Sequence, residues 1–559
     1  MIEGCARVKW IAILLVLGVP GLQLSLGPAW MYTPPSIDAW VYHGYFLHLE
    51  DHAISFNGTY YGSRLAWILP GYLAHHFCSP LAANAILRLF LYWMSALSTF
   101  FLVGRSYGWR CGLVASLLLS SYGGFLNAIG WDYVDGAGIS YSLLCLEELS
   151  AGASGVGWVK WRCFIAGVAF AAAVHSNITL LCFAPVLAVF FLVRTGWRGM
   201  SMAIPAISGF VTLTALLGFI SVRLGGPFRF FWPSLLMATG LGKKNPWFID
   251  GLKWTNYAWW LMVPCVAGLL GISLMIRLLR RRFSGGQESD DAVRIGDAAA
   301  YLLALAMFVT FTASGDPVLQ LTYYASYLTI FAVVAVGAFI GRRLEKMAHF
   351  WALAAGCVLL SLVVGGGLVH KLPFVDAPAL HWFTLNGATS EVALALAFGA
   401  GIVWAEWIKR PAVSATLVAA IMIHIGLVAL LVRPGAREFY ADVSRTSREL
   451  GELTASKTLW FWYDQASDFD GRFQAISSTY LWGYRLLGAH LPETQDFHFE
   501  LAHPGNVVAV MDRRPAALAE ARMNLERGGW TLKPIRRLTS PTGAADYVLE
   551  LVEVAEHSQ

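Results

Sequence analysis

Charge is scarce in this sequence. Only 13% of its 559 residues are Asp, Glu, Lys or Arg, where a soluble globular chain carries about 25%. Hydrophobic residues make up 57%, so too little polar surface remains to keep a body of this size in water. That excludes a soluble enzyme, a disordered chain and a fibrous repeat. Cysteine follows no pattern. The eight cysteines form no CxxC pair and no cluster with histidine, and none follows Cys357, which argues against a disulfide framework and a structural zinc site. No fixed-period repeat runs through the chain, so the inverted-repeat design of many carriers finds no support. The net charge of +5 is small for this length and reads as basic loops on one membrane face, not as a nucleic-acid surface.

What is present is a series of long apolar runs, with 23 Trp and 21 Tyr suited to the bilayer interface. A membrane-crossing helix needs roughly 17–25 largely apolar residues. The first candidate is 9–28, where Gly27, Pro28 and Trp30 make a poor signal-cleavage site. The others lie near 80–104, 110–128, 137–152, 161–175, 177–194, 202–223, 255–277, 298–314, 319–341, 347–368, 389–408 and 412–432, about thirteen in all. Basic residues mark every second junction: Arg7 and Lys9, Arg105 and Arg110, Lys160 and Arg162, Arg194 and Arg198, Arg280 to Arg282, Arg342 with Arg343, and Lys409 with Arg410. This places the N-terminus and those loops in the cytoplasm, and the chain after Arg433 outside. The inner stretch 278–297 reads as a flexible linker.

After Pro434 the composition becomes that of a soluble domain, so residues 1–433 form the membrane bundle and 434–559 an extracytoplasmic domain. TLWFWYD (458–464), NVVAVMD (506–512) and ADYVLELVEV (545–554) read as strands, and PAALAEARMNLERGG (515–529) as an amphipathic helix closed by glycines. The alternation suggests a small α/β domain. It carries no Gly-rich phosphate loop and no nucleophile motif, which suits a lid or acceptor-docking element.

Charged residues that escape the inner loops collect on the outer ones. In the first loop Asp38 opens an amphipathic stretch with Trp40, Tyr42, His43, Tyr45 and Phe46, suited to lie along the membrane surface. A carboxylate there is either a partly desolvated base or a helix N-cap, and the two are not exclusive. Asp132 and Asp135 follow in GWDYVDGAGISY; their spacing puts both on one face of a helix, and Gly136 and Gly138 allow close backbone approach to a ligand. Outer cations suited to a phosphate are Arg64 after Tyr60 and Tyr61, His175, and Lys243 and Lys244. Asp316 and Tyr323–Tyr324 stand at the outer end of a span as cavity wall or aromatic belt.

The order of these pieces (PPSIDAW, then RLAWILPGYLAHHF, then LVGRSYGWRCGLVASLLLSSYGGFL, then WDYVDGAG) resembles the GT-C glycosyltransferases. It is most similar to the family-39-like branch of protein mannosyltransferases and aminoarabinose lipid A transferases. The layout covers roughly residues 1–435, with local motifs within about 29–140. The resemblance implies a mainly α polytopic bundle plus the small domain, and a glycosyltransferase using a polyprenyl-phosphate sugar. In it Asp38 is the general base and Asp135, or Asp132, orients a reactant. Arg64, His175 and Lys243 or Lys244 neutralise the departing phosphate, and Tyr42, Tyr61, Asp316 and Tyr324 line the cavity. The hydroxyl acceptor is a lipid, protein or glycan, and direct displacement inverts the anomeric centre. No WEP-like motif surrounds Asp38 and no DxD pair is present, so no metal or other cofactor is expected. The absence of cysteine from the outer domain points to a bacterial inner membrane. A carrier or flippase of lipid-linked sugars, or a non-catalytic scaffold, are the rival readings; a carrier would concentrate ionisable residues inside its spans, whereas here they gather on loops.

Overall fold

A computed structural model of the chain describes residues 2–27, 31–34, 36–56, 58–130, 134–155, 158–239, 248–256, 258–283, 291–345, 347–365, 391–410, parts of 413–424, 437–454, 459–463, 507–511, Met523, 530–539, Thr542 and 548–556. The bundle is helical. Its elements are α1 (Ile2–Leu26), α2 (Ile37–Leu47), α3 (Leu49–Ser55), α4 (Leu65–Phe77), α5 (Pro80–Tyr107), α6 (Trp109–Ser121), α7 (Gly123–Gly130), α8 (Val134–Ala153), α9 (Val159–Ser176) and α10 (Ala184–Thr195). Then come α11 (Ala203–Arg223), α12 (Trp232–Thr239), α13 (Met262–Phe283), α14 (Asp291–Ala313), α15 (Thr322–Ala325), α16 (Thr329–Glu345) and α17 (Phe350–Gly365), with further helices at Glu391–Trp407 and Arg437–Thr454.

Seven described segments are long and apolar enough to cross a membrane, and eight if α6 and α7 are one broken span bent by 64°. The chain is an integral, multi-pass membrane protein. Twelve of the thirteen apolar stretches are mainly helical where described, and 412–432 lies largely outside the described residues. The bend between α6 and α7 sits at Tyr122, whose extended backbone breaks the helix and whose phenol donates to the Trp260 carbonyl at 2.9 Å. It turns α7 so that its last residues run into the site.

Two expectations change. The stretch 278–297 is largely not a linker: α13 continues to Phe283 and α14 begins at Asp291. Asp297 is fully buried, paired with Arg194 and taking a bond from the Tyr107 phenol, while Arg294 donates to the Ala338 carbonyl at 2.8 Å. The charge at these helix ends locks helix to helix. Nor does α2 keep an exposed polar face: residues 39–46 are all buried. Trp40, Tyr42, His43, Tyr45 and Phe46 are all buried under α3, α4 and the helix Arg437–Thr454. Tyr440 from that helix packs on Trp40 and Tyr32 with ring centroids 6.0 and 5.4 Å apart.

Beyond the bundle a four-stranded sheet is made of β1 (Leu459–Tyr463), β2 (Val507–Met511), β3 (Trp530–Thr539) and β4 (Val548–Glu556), in the order β1-β2-β4-β3. β1 and β2 are parallel; the other pairs are antiparallel. Three strands match the sequence reading, and the expected helix at 515–529 lies, Met523 apart, outside the described residues. β3 was missed because it is an edge strand with a proline, a bulge at Pro534/Arg536 and exposed Lys533, Arg536 and Arg537. Asp442 ties the helix Arg437–Thr454 to the end of β3 by accepting from the Thr542 hydroxyl at 2.8 Å.

Candidate active site

The starts of α2, α4, α8 and α15 meet at one end of the bundle. Asp38 lies in the first turn of α2, where the helix dipole favours an anion. The N-cap position belongs to Ser36, so the cap reading of Asp38 does not hold. Its Oδ1 accepts from the Tyr61 phenol at 2.5 Å, with the Tyr60 phenol at 3.4 Å. The two phenol rings lie 4.0 Å apart between centroids. Burial, reinforced by the negative charge of Asp38, raises both phenols well above their ordinary range, so they stay protonated as donors. Only one carboxylate oxygen is engaged by them.

Arg64 stands at the N-cap of α4, three residues after Tyr61. Its side chain is buried, lies over the Tyr60 ring at 4.9 Å and donates to the Tyr42 phenol at 2.8 Å. The loop before it is fixed by a hydrogen bond between Ser63 and Ser234 on α12.

Asp135, at the start of α8, is buried. It takes a hydrogen bond from the Tyr327 phenol, which in turn accepts from the Asn177 amide at 2.8 Å. The other end of that amide caps the following turn through the Thr179 backbone at 3.1 Å, so its orientation is fixed and the phenol proton is aimed at Asp135. Asp135 lies close enough to Arg64 and Asp38 to feel both charges, and Tyr324 feels Arg64, Asp135, Asp316 and Asp38. Beside Asp135 opens a cavity of about 240 Å³ lined by Asn127, Ala128, Gln320, Leu321, Thr322 and Tyr323. Gly136 and Gly138 do not face it. A side chain on Gly136 would meet the Ala128 carbonyl at 2.6 Å, and one on Gly138 would meet Leu180 at 2.7 Å. These glycines let α8 approach α7 and Leu180, so their use is helix packing.

The geometry thus joins Asp38, Asp135, Arg64, Tyr42, Tyr61 and Tyr324, with buried Asp316 at the margin. It does not bring His175 to them. That ring bonds the Thr214 hydroxyl at 2.8 Å and packs on Phe230 at 4.9 Å. Asp132, Lys243 and Lys244 lie outside the described residues. Among the described residues no group of three or more His, Cys, Asp or Glu converges as a metal site.

No family model matches the chain, and no curated protein matches it. Solved structures do. The apo form of ArnT from Cupriavidus metallidurans is similar over 98% of each chain, with a TM-score of 0.56 at 14% identity. The same protein bound to undecaprenyl phosphate gives 0.53 at 13% identity, over 99% of this chain and 98% of that one. The arabinofuranosyltransferase AftD from Mycobacteria gives 0.50 at 11%, over 99% of this chain and 40% of the other. The chain has the GT-C fold. Within this GT-C bundle, Tyr60, Tyr327 and Asn177 are the neighbours that sequence reasoning did not single out for the site. Tyr60 adjoins Tyr61, and Tyr327 lies three residues after Tyr324, where a helical turn returns it to the same side. Asn177 sits at a corner between helices, and only the three-dimensional turn shows which way its amide points.

Proposed function

We propose that the chain is a glycosyltransferase that moves a sugar from a polyprenyl-phosphate donor to a hydroxyl acceptor at the outer membrane face, inverting the anomeric centre. The observation that carries this reading is the pairing of Asp38, held through one oxygen by Tyr61, with buried Arg64 and Asp135 beside a cavity. Support also comes from the GT-C fold and from the undecaprenyl phosphate bound by ArnT. In this reading Asp38 takes the proton of the acceptor hydroxyl as its oxygen attacks the anomeric carbon. The bond to the phosphate oxygen breaks on the opposite side, and Arg64 stabilises the charge that grows on the departing polyprenyl phosphate. Asp135, set by Tyr327, orients a reactant. Lys243 and Lys244 are further phosphate partners in the same proposal. The reaction site is the end of the bundle that basic-inside topology assigns to the outside of a bacterial inner membrane, with the N-terminus cytoplasmic. The helix Arg437–Thr454 packs on α2 at that end, and in this proposal the domain it opens serves as a lid or acceptor-docking element.

Purified protein incubated with a set of polyprenyl-phosphate sugars and hydroxyl acceptors is expected to release polyprenyl phosphate, and Asp38→Asn to lower that release by about 10²- to 10⁴-fold at normal protein level. Passage of lipid-linked sugar across vesicles without new glycosidic bonds would replace this reading by that of a carrier.

A further inference from the structure

The helix Arg437–Thr454 uses its faces for different purposes. Phe439, Val443 and Leu450 are buried in the core. Asp442 holds Thr542, and Glu449 pairs with Arg536 at 3.7 Å, so a second face is tied to the end of the sheet. The third face is the stripe Tyr440, Ser444, Ser447 and Arg448, at the i, i+4, i+7 and i+8 spacing that a packed helix fills with apolar residues. Here the stripe carries two hydroxyls and a guanidinium. It looks across a cavity of about 410 Å³ at the start of α5, where Ser79 and Leu81 form the opposite wall. This cavity is separate from the site around Asp38. Tyr440 packs on Trp40, which follows Asp38 by two residues and so stands on the far side of α2 from it.

The position of the cavity restricts what fills it. α5 is a membrane span, Pro80–Tyr107, and the basic-inside topology puts its start at the outer surface of the bilayer. Phe77 and Leu81, on either side of Ser79, are 79% and 38% exposed. Apolar side chains exposed at the mouth of a span meet acyl chains. An arginine among hydroxyls meets phosphate oxygens, which its planar fork and the hydroxyl donors match. Ser79 stands at the N-cap of α5 but makes no capping bond, so its hydroxyl is not committed to that helix. An anion dissolved in water has no use for the apolar lip, whereas a lipid with an anionic headgroup uses both parts. The volume falls within the roughly 300–1,000 Å³ of small-molecule sites, which is room for a headgroup.

We propose that this cavity binds the phosphate headgroup of an anionic membrane lipid through Arg448, Ser444 and Ser79, with the acyl chains running past Phe77 and Leu81, and that the lipid fastens the first helix of the outer domain to α5. The proposal does not depend on the transferase reading. The test uses the full-length protein in a neutral detergent, titrated separately with phosphatidylglycerol, phosphatidylcholine and glycerol phosphate, with bound molecules counted by native mass spectrometry. The wild type is expected to hold one phosphatidylglycerol about tenfold more tightly than phosphatidylcholine, and to hold glycerol phosphate far more weakly than either. Arg448→Gln is expected to weaken phosphatidylglycerol about tenfold, the loss of one charge-assisted contact, and to leave phosphatidylcholine unchanged. Arg448→Lys recovers part of the loss. Arg445 is also exposed, one turn earlier on the same helix, and is not among the lining residues, so Arg445→Gln is expected to bind as the wild type does. Saturating phosphatidylglycerol should raise the thermal midpoint of the wild type and not that of Arg448→Gln. Equal binding of the two lipids, or equal weakening by Arg445→Gln and Arg448→Gln, would reduce the site to diffuse attraction and overturn the proposal. Glycerol phosphate binding as tightly as the lipid would overturn it in favour of a site for soluble phosphates.

Discussion

The two ends of the bundle both bury acids, and they treat them differently. At the end carrying the basic junctions, three of the described acids meet a guanidinium. Glu147 pairs with Arg105 at 2.5 Å, Glu148 with Arg162 at 3.1 Å, and fully buried Asp297 with Arg194. At the other end Asp38 and Asp135 take their bonds from phenols, while Arg64 donates to a phenol. A buried pair of opposite charges is spent on holding helices together, because its charge is cancelled where it stands. An acid held by neutral donors keeps its charge available to a reactant. In the proposed reading, the contrast separates acids that lock from acids positioned for chemistry.

The largest expected effects test that division directly. Asp38→Asn should lower transfer by about 10²- to 10⁴-fold, the usual worth of a general base, with the thermal midpoint in detergent unchanged. Asp297→Ala should do the reverse. It leaves Arg194 buried and unmatched, which costs about 3–5 kcal/mol of stability, while the properly folded fraction keeps its donor KM. A stability loss at Asp38 equal to that at Asp297 would erase the distinction. Arg64 comes next: Arg64→Ala should reduce donor use by at least about tenfold, and Arg64→Lys by clearly less, because a lysine retains the charge without the planar fork. Equal rates for the two variants would remove Arg64 from the phosphate role.

Much of this contrast was legible in the sequence, for a physical reason. Bilayer length and the positive-inside bias act on composition along the chain, so the apolar runs and their basic junctions could be read without a structure. The scarcity of charge made Asp38, Arg64 and Asp135 stand out. What stayed hidden depends on contacts between distant segments. Asp297 falls in a stretch that reads as a flexible linker because nothing in its neighbourhood shows that Arg194, more than a hundred residues earlier, lies against it. Asn177 and Tyr327 are 150 positions apart and form one relay to Asp135. His175 followed the same outer-loop logic as Arg64, yet α9 turns it toward Thr214 and the Phe230 ring.

The phenols themselves sharpen the comparison at a smaller scale. Tyr61→Phe removes the shorter of the two donors to Asp38 and leaves the ring that stacks on Tyr60. A single hydrogen bond to a charged group is worth about 1.5–3 kcal/mol at most, and the Tyr60 phenol at 3.4 Å can close part of the gap, so the turnover number should fall by about tenfold with little change in KM. Wild-type turnover in Tyr61→Phe would show that the phenol is packing and not positioning.

The smallest expected effect concerns a third kind of buried polar group, histidines kept neutral on and against α2, the helix that carries Asp38. Burial lowers His52 to about 3, with the nearby His48 acting in the same direction, and burial with His75, Arg88 and His48 lowers His43 well below the ordinary range. The His52 ring lies against Gly44 on α2, where any side chain would strike it. Above its ordinary value of 6.5 neither the folded nor the unfolded chain is protonated at His52, and the full stability is present. As the pH falls below 6.5, the unfolded chain takes up a proton that the folded chain refuses, so stability declines until the folded ring itself titrates near 3. For one such histidine the loss at pH 6 is under about 1 kcal/mol, growing by about 1.4 kcal/mol for each further unit. Thermal unfolding of wild type and His52→Gln between pH 7.5 and 5 should therefore show a shallower decline in the variant, with the remainder carried by His43. Parallel declines would mean that the His52 ring is already solvated, and that the packing of α3 on α2 opens more readily than its burial implies.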